Sequence, residues 1–139
     1  MLRATTLMKF AAIATLSTFA VFALMGCGGG PLQVGDVFDN PLEYQQPFEL
    51  TATVTQISPD HPATFAIVDN VYILGCGYLN CGTTRMLANN VGGSPMPVPG
   101  DVVDMTGRFE YVGAMWVFMA DSITVEDNVM HRLFTQPAE

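Results

Sequence analysis

The clearest pattern in the chain is an alternation of apolar and polar side chains over residues 48–57. Apolar residues occupy every second position, and a glutamate and three threonines lie between them. A period of two is typical of a half-buried β-strand. The apolar face continues at its end through either Gln56 or a bulged Ile57. We therefore expect a strand whose buried face is formed by Phe48, Leu50, Ala52 and Val54.

A similar alternation returns in the second half of the chain. Over residues 102–111, apolar residues and a glycine alternate with charged residues and a threonine, and Gly113 marks a turn. Residues 114–125 follow and are apolar on both faces as far as Asp121. This pattern predicts a β-hairpin whose second strand is covered on both sides.

The segment between these strands has weaker signals. Thr64–Val68 and Val71–Leu74 are short apolar runs separated by Asp69-Asn70, a suitable loop for a hairpin. Residues 75–100 contain six glycines and three prolines and show no sustained period. We expect a long loop there, with one helical turn at Thr84–Ala88.

Five strands with a long third-to-fourth connection favour a small closed barrel, which leaves no free edge strand. We expect one short helix over Val34–Tyr44, broken or started at Pro41. This helix, the Asp69-Asn70 hairpin and the segments Gly100–Arg108 and Ala120–Ile123 together resemble small exported bacterial OB-fold domains. The resemblance covers residues 34–126. It implies a mainly β protein with a five-stranded OB-like β-barrel and a short N-terminal helix, followed by a polar tail at 127–139. An open β-sandwich is the alternative.

The N-terminal segment has the pattern of an export signal. Arg3 and Lys9 precede a stretch of seventeen apolar or small residues that ends in Leu24-Met25-Gly26-Cys27. This ending resembles the lipobox of bacterial lipoproteins, although Met25 stands where a smaller residue is usual. The resemblance implies removal of residues 1–26 as a signal peptide, diacylglyceryl attachment to Cys27, and a glycine-rich tether over 27–33. An uncleaved signal anchor, or an ordinary signal peptide with a chance cysteine, is the alternative.

Composition and charge limit the partners. The chain has five basic and thirteen acidic residues, for a formal net charge of −8, and only three arginines follow Cys27. Nucleic acid is excluded as a partner, because phosphate backbones are bound by clustered cations. The lipobox resemblance implies an extracytoplasmic protein attached to a membrane through Cys27. Gly28 in place of aspartate favours the outer membrane if the cell is Gram-negative.

Cys76 and Cys81 are the remaining cysteines, and glycines flank the pair. Disulfides persist outside the cytoplasm, and four intervening residues let two cysteines approach closely, so a structural disulfide is our prediction. A soft-metal site is the alternative, since thiolates and the thioethers of Met115 and Met119 suit Cu(I), Ag(I) or Zn(II). His61 and His131 are the only histidines, and neither lies near the cysteines in sequence.

A binding surface on the second and third strands is the remaining candidate site. OB barrels bind ligands there, and aromatic rings stack on sugars or peptides. We expect such a surface to use Phe65, Tyr72, Tyr78 and Trp116, with Ile67 beside them; the alternative is that Phe65, Ile67 and Trp116 are core residues.

Signatures of catalysis are weak. The sequence has no GxSxG or HExxH motif and no lysine after Cys27. Four aspartates lie at turns or on solvated strand faces, which are simpler roles than catalysis: Asp69, Asp101, Asp104 and Asp121. We therefore predict a protein that is not an enzyme and has no cofactor. Its expected role is a lipid-anchored binding or envelope-interaction module, with an envelope protein or small ligand as partner. A periplasmic soft-metal binding protein is the alternative.

Overall fold

The computed structural model describes residues 31–81 and 84–131. It contains five strands and two short α-helices within those residues, with a 3₁₀ turn at Pro41–Tyr44. The strands close into one barrel in the order β1-β2-β3-β5-β4, with β4 pairing back to β1. β3 and β5 run parallel, and the other neighbours are antiparallel. The elements are α1 Val34–Phe38, β1 Phe48–Ile57, β2 Thr64–Val68, α2 Asn70–Cys76, β3 Met86–Asn90, β4 Asp101–Val112 and β5 Met115–Asn128.

β1 has the bounds that the alternation predicts, and its register shifts between Val54 and Gln56 at the expected bulge. Its threonine face is also partly covered. The Thr51 hydroxyl donates to Asp104, and the Thr53 hydroxyl donates to the side-chain oxygen of Asn70 at 2.6 Å. Because both hydroxyls have partners, these buried polar groups cost little free energy.

The predicted hairpin at Asp69-Asn70 is wrong. β2 ends at Val68, and the chain turns into the helix α2, which is followed by Gly77 with a φ of 78°. Asp69 uses its carboxylate to accept the backbone N–H of Gly35, at 3.0 and 3.1 Å, which joins the start of α1 to the start of α2. The run Val71–Leu74 has only four residues, which is too short to show whether its apolar period is that of a strand or of a helix.

The predicted loop with a helical turn at Thr84–Ala88 is also wrong. Residues 86–90 form β3, which pairs antiparallel with β2 and parallel with β5. Met86 and Ala88 are buried in the barrel. β3 is therefore the third strand of the barrel, in place of the predicted strand Val71–Leu74.

The predicted hairpin of the second half is present and longer than expected. β4 and β5 turn at Gly113 and Ala114, both with positive φ, and β5 continues to Asn128, opposite Asp101. The barrel therefore extends beyond the predicted boundary at residue 126. Tyr111 is exposed, contrary to its place in the predicted apolar face.

The short helix predicted over Val34–Tyr44, broken or started at Pro41, consists of two pieces: α1 ends at Phe38, and the 3₁₀ turn begins at Pro41. Val34 and Val37 are buried and belong to the main core. Within the described residues no helix is both long and apolar enough to cross a membrane.

Phe109 and Phe118 are buried in the barrel core, and the partly buried Phe48 packs against both of them. Phe48 lies 5.7 Å from Phe109 and 5.3 Å from Phe118, and Phe109 lies 5.7 Å from Phe118, between ring centroids. Gly107 passes beside them at a register shift of β4; a Cβ there would lie 2.9 Å from Phe118 Cζ and 2.1 Å from the Met119 carbonyl oxygen. Only glycine fits such a close approach.

A smaller cluster closes the barrel beside α2. Val68, Ile73 and Val129 are buried together, so the start of the predicted tail docks on the barrel. The remainder of that tail, from residue 132 onward, lies outside the described residues. All five strands and both core clusters fall within 31–131, so a chain that begins at residue 28 contains the complete barrel.

Candidate functional site

An apolar cleft of about 490 Å³ opens on the barrel wall beside α1. We call it the Trp116 cleft. β2 and β3 form one side, and the start of β5, directly after the β4–β5 turn, forms another. α1 and the 3₁₀ turn contribute one residue each. Its lining residues are Phe38, Pro41, Ala66, Arg85, Met86, Leu87, Phe109, Met115 and Trp116.

Neighbouring elements fix the positions of the lining side chains. Ala66 and Leu87 are directly paired across β2 and β3. Met86 and Phe109 are buried and connect the cleft with the core. The Trp116 ring packs against Tyr111, with 5.3 Å between centroids. The exposed rim of the cleft is formed by Phe38 and Met115, and such clustered exposed apolar side chains are typical of binding sites.

One cation lines the cleft. The exposed Arg85 donates from Nη2 to the carbonyl oxygen of Asn80 at 3.3 Å. Arg108, in contrast, is held by Glu110 at 2.7 Å and by Asp121 at 3.5 Å. Of the two arginines in the described part of the chain, Arg85 is the one without a carboxylate partner.

The residues predicted to form a ligand surface are not brought together. Phe65 and Ile67 are 0% exposed and lie in the core, because they occupy the inward face of β2. Phe65 therefore has no surface to offer a ligand. Tyr72 is exposed in the first turn of α2, and Tyr78 is exposed beyond the end of α2; both lie outside the lining of the cleft. Trp116 is the predicted residue that lines it.

Most of the cleft was not predicted from the sequence. Ala66 lies between the two core residues of β2, and Met86 and Leu87 lie in the unpredicted strand β3. Met86, Leu87 and Ala88 are all apolar, so the sequence carries no period-two signal that indicates a strand at this place.

A larger and more polar groove, of about 830 Å³, lies over the outer faces of β1, β4 and β5 beside Leu32. Its carboxylates come from Glu49, Asp104 and Glu126, and its hydroxyls from threonines and a serine. Asp104 already accepts a hydrogen bond from Thr51. This groove is the solvated face of the alternating strands.

The two cysteines near α2 are joined. Cys76 and Cys81 form a disulfide with their Cα atoms 6.3 Å apart, so their sulfurs are not free thiolates. Met115 lies at the start of β5 and Met119 four residues further along it, opposite Arg108 on β4. In the part of the chain that the structure covers, no three His, Cys, Asp or Glu side chains are grouped so that they could hold a metal ion.

Replacing both Cys76 and Cys81 with serine is expected to lower the free energy of unfolding by about 2 kcal/mol, since the short loop gains freedom mainly in the unfolded chain. Urea unfolding should show the same loss in the free energy of unfolding for this variant and for the reduced native chain. The native chain can also be denatured without reductant and treated with an alkylating reagent. Alkylation of Cys76 or Cys81 under these conditions would contradict the disulfide.

The four aspartates considered for catalysis are dispersed. Asp69 accepts from Gly35, and Asp104 accepts from Thr51. Asp101 accepts from the Val98 N–H at 2.8 Å and from Asn128 at 2.7 Å, and Asp121 pairs with Arg108. Each carboxylate has a local structural partner, and these contacts do not pair any two of the four.

Comparison of the chain with protein families gives no match, and comparison with curated proteins gives none either.

Proposed function

We propose that this chain is a lipid-anchored, extracytoplasmic binding module of the cell envelope that holds an apolar ligand in the Trp116 cleft. One observation carries the proposal: exposed and half-buried apolar side chains from five separate segments converge on a single cleft. Ligand sites are typically concave and mostly apolar, with few polar groups. The exposed Phe38 and Met115 at the rim would be covered by a bound ligand.

The topology supports an OB-type interpretation of the barrel. The strand order, with β3 parallel to β5, suits a five-stranded Greek-key barrel. OB domains bind ligands on the face of the second and third strands and at the loop between the fourth and fifth. The Trp116 cleft combines these places, because Ala66 and Leu87 come from β2 and β3 and Met115 directly follows the β4–β5 turn.

The proposed location of the protein rests on the N-terminal sequence. The lipobox-like segment ending at Cys27 lies outside the described residues, and its cleavage and acylation are part of the proposal. The described chain begins at Pro31, four residues after Cys27, so acylation there would hold the barrel close to the membrane. The Cys76–Cys81 disulfide is consistent with a compartment in which disulfides persist.

Binding without catalysis is favoured by the lining of the cleft. Of its nine residues Arg85 alone is ionisable, and an arginine keeps its proton at physiological pH. Proton transfer in catalysis needs a group that gains and loses a proton near neutrality.

Decanol, a neutral apolar probe, is expected to bind the chain from residue 28 and to shift the fluorescence of Trp116, the only tryptophan. Replacing Met115 with glutamate should weaken this binding about tenfold or more, because it places a charge at the apolar rim. Val125→Glu is the matched control, since both residues lie on β5 and are 50% and 48% exposed.

Equal weakening by the two glutamates, or no fluorescence change with decanol, would refute binding in the cleft. The soft-metal alternative is tested in the same assay. Ag(I) that binds in equimolar amounts while decanol does not would replace the proposed ligand with a metal, since the thioethers of Met86 and Met115 line the same cleft.

A further inference from the structure

We infer that the ligand of the Trp116 cleft is a small amphiphile with an apolar body and a single anionic head group, such as a medium-chain carboxylate. The inference rests on the proposed function, because it assigns the chemistry of the molecule held in that cleft. Arg85 and its surroundings carry it.

Arg85 is positioned to receive an anion. It precedes β3 directly and lines the cleft beside Met86 and Leu87, while its guanidinium remains exposed. One Nη2 contact with the Asn80 carbonyl holds the side chain, and a guanidinium has five N–H donors. Its planar fork can therefore present two parallel donors to a carboxylate.

Because the chain as a whole is acidic, a cation in the cleft indicates the charge of the ligand. Thirteen acidic residues against five basic ones give a formal net charge of −8, so the long-range field attracts cations and repels anions. Arg108 is neutralised by Glu110 and Asp121, whereas the cleft itself is lined by no carboxylate among the described residues. A preference for an anion at this place would thus oppose the general field and has to come from a local contact.

The apolar lining determines the rest of the ligand. Trp116, Phe109 and Leu87 offer ring faces and aliphatic surface but no hydrogen-bonding side chain except the indole N–H. A highly polar molecule such as a free sugar would leave its hydroxyls unpaired there, at a cost in binding free energy. An apolar body with the charge at one end fits both parts of the lining.

The test compares two probes with unbranched chains of similar length and opposite head groups, decanoate and decyltrimethylammonium. Both are added to the chain from residue 28 below their aggregation concentrations, at a pH where the carboxylate is ionised, and Trp116 fluorescence is recorded. We expect decanoate to bind about tenfold more tightly. Nonspecific electrostatics in so acidic a protein would give the reverse order.

Variants assign the preference to one side chain. Arg85→Gln should remove the tenfold advantage of decanoate over decyltrimethylammonium, while Arg85→Lys should retain part of it, since a lysine keeps the charge but loses the fork. Arg108→Gln is the matched control and should leave the preference intact. Circular dichroism of each variant checks that the barrel is folded.

The outcomes separate this inference from the proposed function. If decanol binds but decanoate and decyltrimethylammonium bind equally, the anionic head group is wrong while the apolar cleft stands. If decanoate is preferred and that preference survives Arg85→Gln, Arg85 is not the group that recognises the anion, and the inference from Arg85 fails while the cleft stands. If decanol does not bind at all, the proposed function itself fails, and the inference fails with it.

Discussion

Replacing Phe118 with alanine is expected to lower the free energy of unfolding by about 3–5 kcal/mol, the usual cost of removing a large buried ring. Phe118 is 0% exposed, and its ring meets Phe48 and Phe109 edge to face. Gly107 on β4 approaches the same ring, so the surrounding backbone has little freedom to fill the space. In a domain whose total stability is about 5–15 kcal/mol, this loss is a large fraction.

Urea and thermal unfolding of the chain from residue 28 measure this effect, and a loss of this size lowers Tm by about 15 °C or more. Tyr78→Ala is the control, because Tyr78 is also aromatic but 73% exposed and outside both core clusters. Its substitution should change the free energy of unfolding by less than about 0.5 kcal/mol. Similar losses in the two variants would mean that Phe118 is not at the centre of the core.

The long strands were predictable because their patterns are long. β1 alternates over its ten residues and β4 over residues 103–111. One face of each strand must be buried, so a shift of one residue exposes the whole apolar set. The turn at Gly113 follows from the same reasoning, since a hairpin turn favours residues that tolerate positive φ.

β3 and α2 were not predictable from local pattern. β3 has five residues, two of them asparagines, and becomes a strand through pairing with β2 and, in parallel, with β5 about thirty residues later. α2 is specified by contacts: Asn70 bonds Thr53, and Ile73 packs with Val68 and Val129. Such tertiary contacts override weak intrinsic preferences.

Of the residues that line the Trp116 cleft, only Trp116 was predicted from the sequence as a ligand-binding residue. On β2, Phe65 and Ile67 have the larger side chains but point inward, and the small Ala66 between them lines the cleft. Residue type alone does not determine which face of a two-sided apolar strand is inside. Arg85 differs from Arg108 because Arg108 is paired with Glu110 and Asp121, and those ion pairs are seen only in the structure.

The Cys27→Ser variant is expected to lose its lipid completely, because serine offers no thiol for the thioether. If Cys27 carries the acyl chains, each buried methylene contributes about 0.8 kcal/mol, and more than one chain gives stable anchoring. The barrel itself supplies no spanning helix within its described residues. Fractionation of bacteria that express the full chain, with an intact mass of the extracted protein, measures both attachment and modification. The expected native mass is that of residues 27–139 plus the lipid.

The other two cysteines provide the matched control. The double variant Cys76→Ser, Cys81→Ser should remain in the membrane fraction with its lipid mass, because those sulfurs form the disulfide in the structure. A native chain that stays membrane-bound at its uncleaved mass, without lipid, would identify residues 1–26 as a signal anchor. A native chain that is released without lipid would identify an ordinary signal peptide. Either result would remove the lipid anchor while leaving the Trp116 cleft to be tested by its own probes.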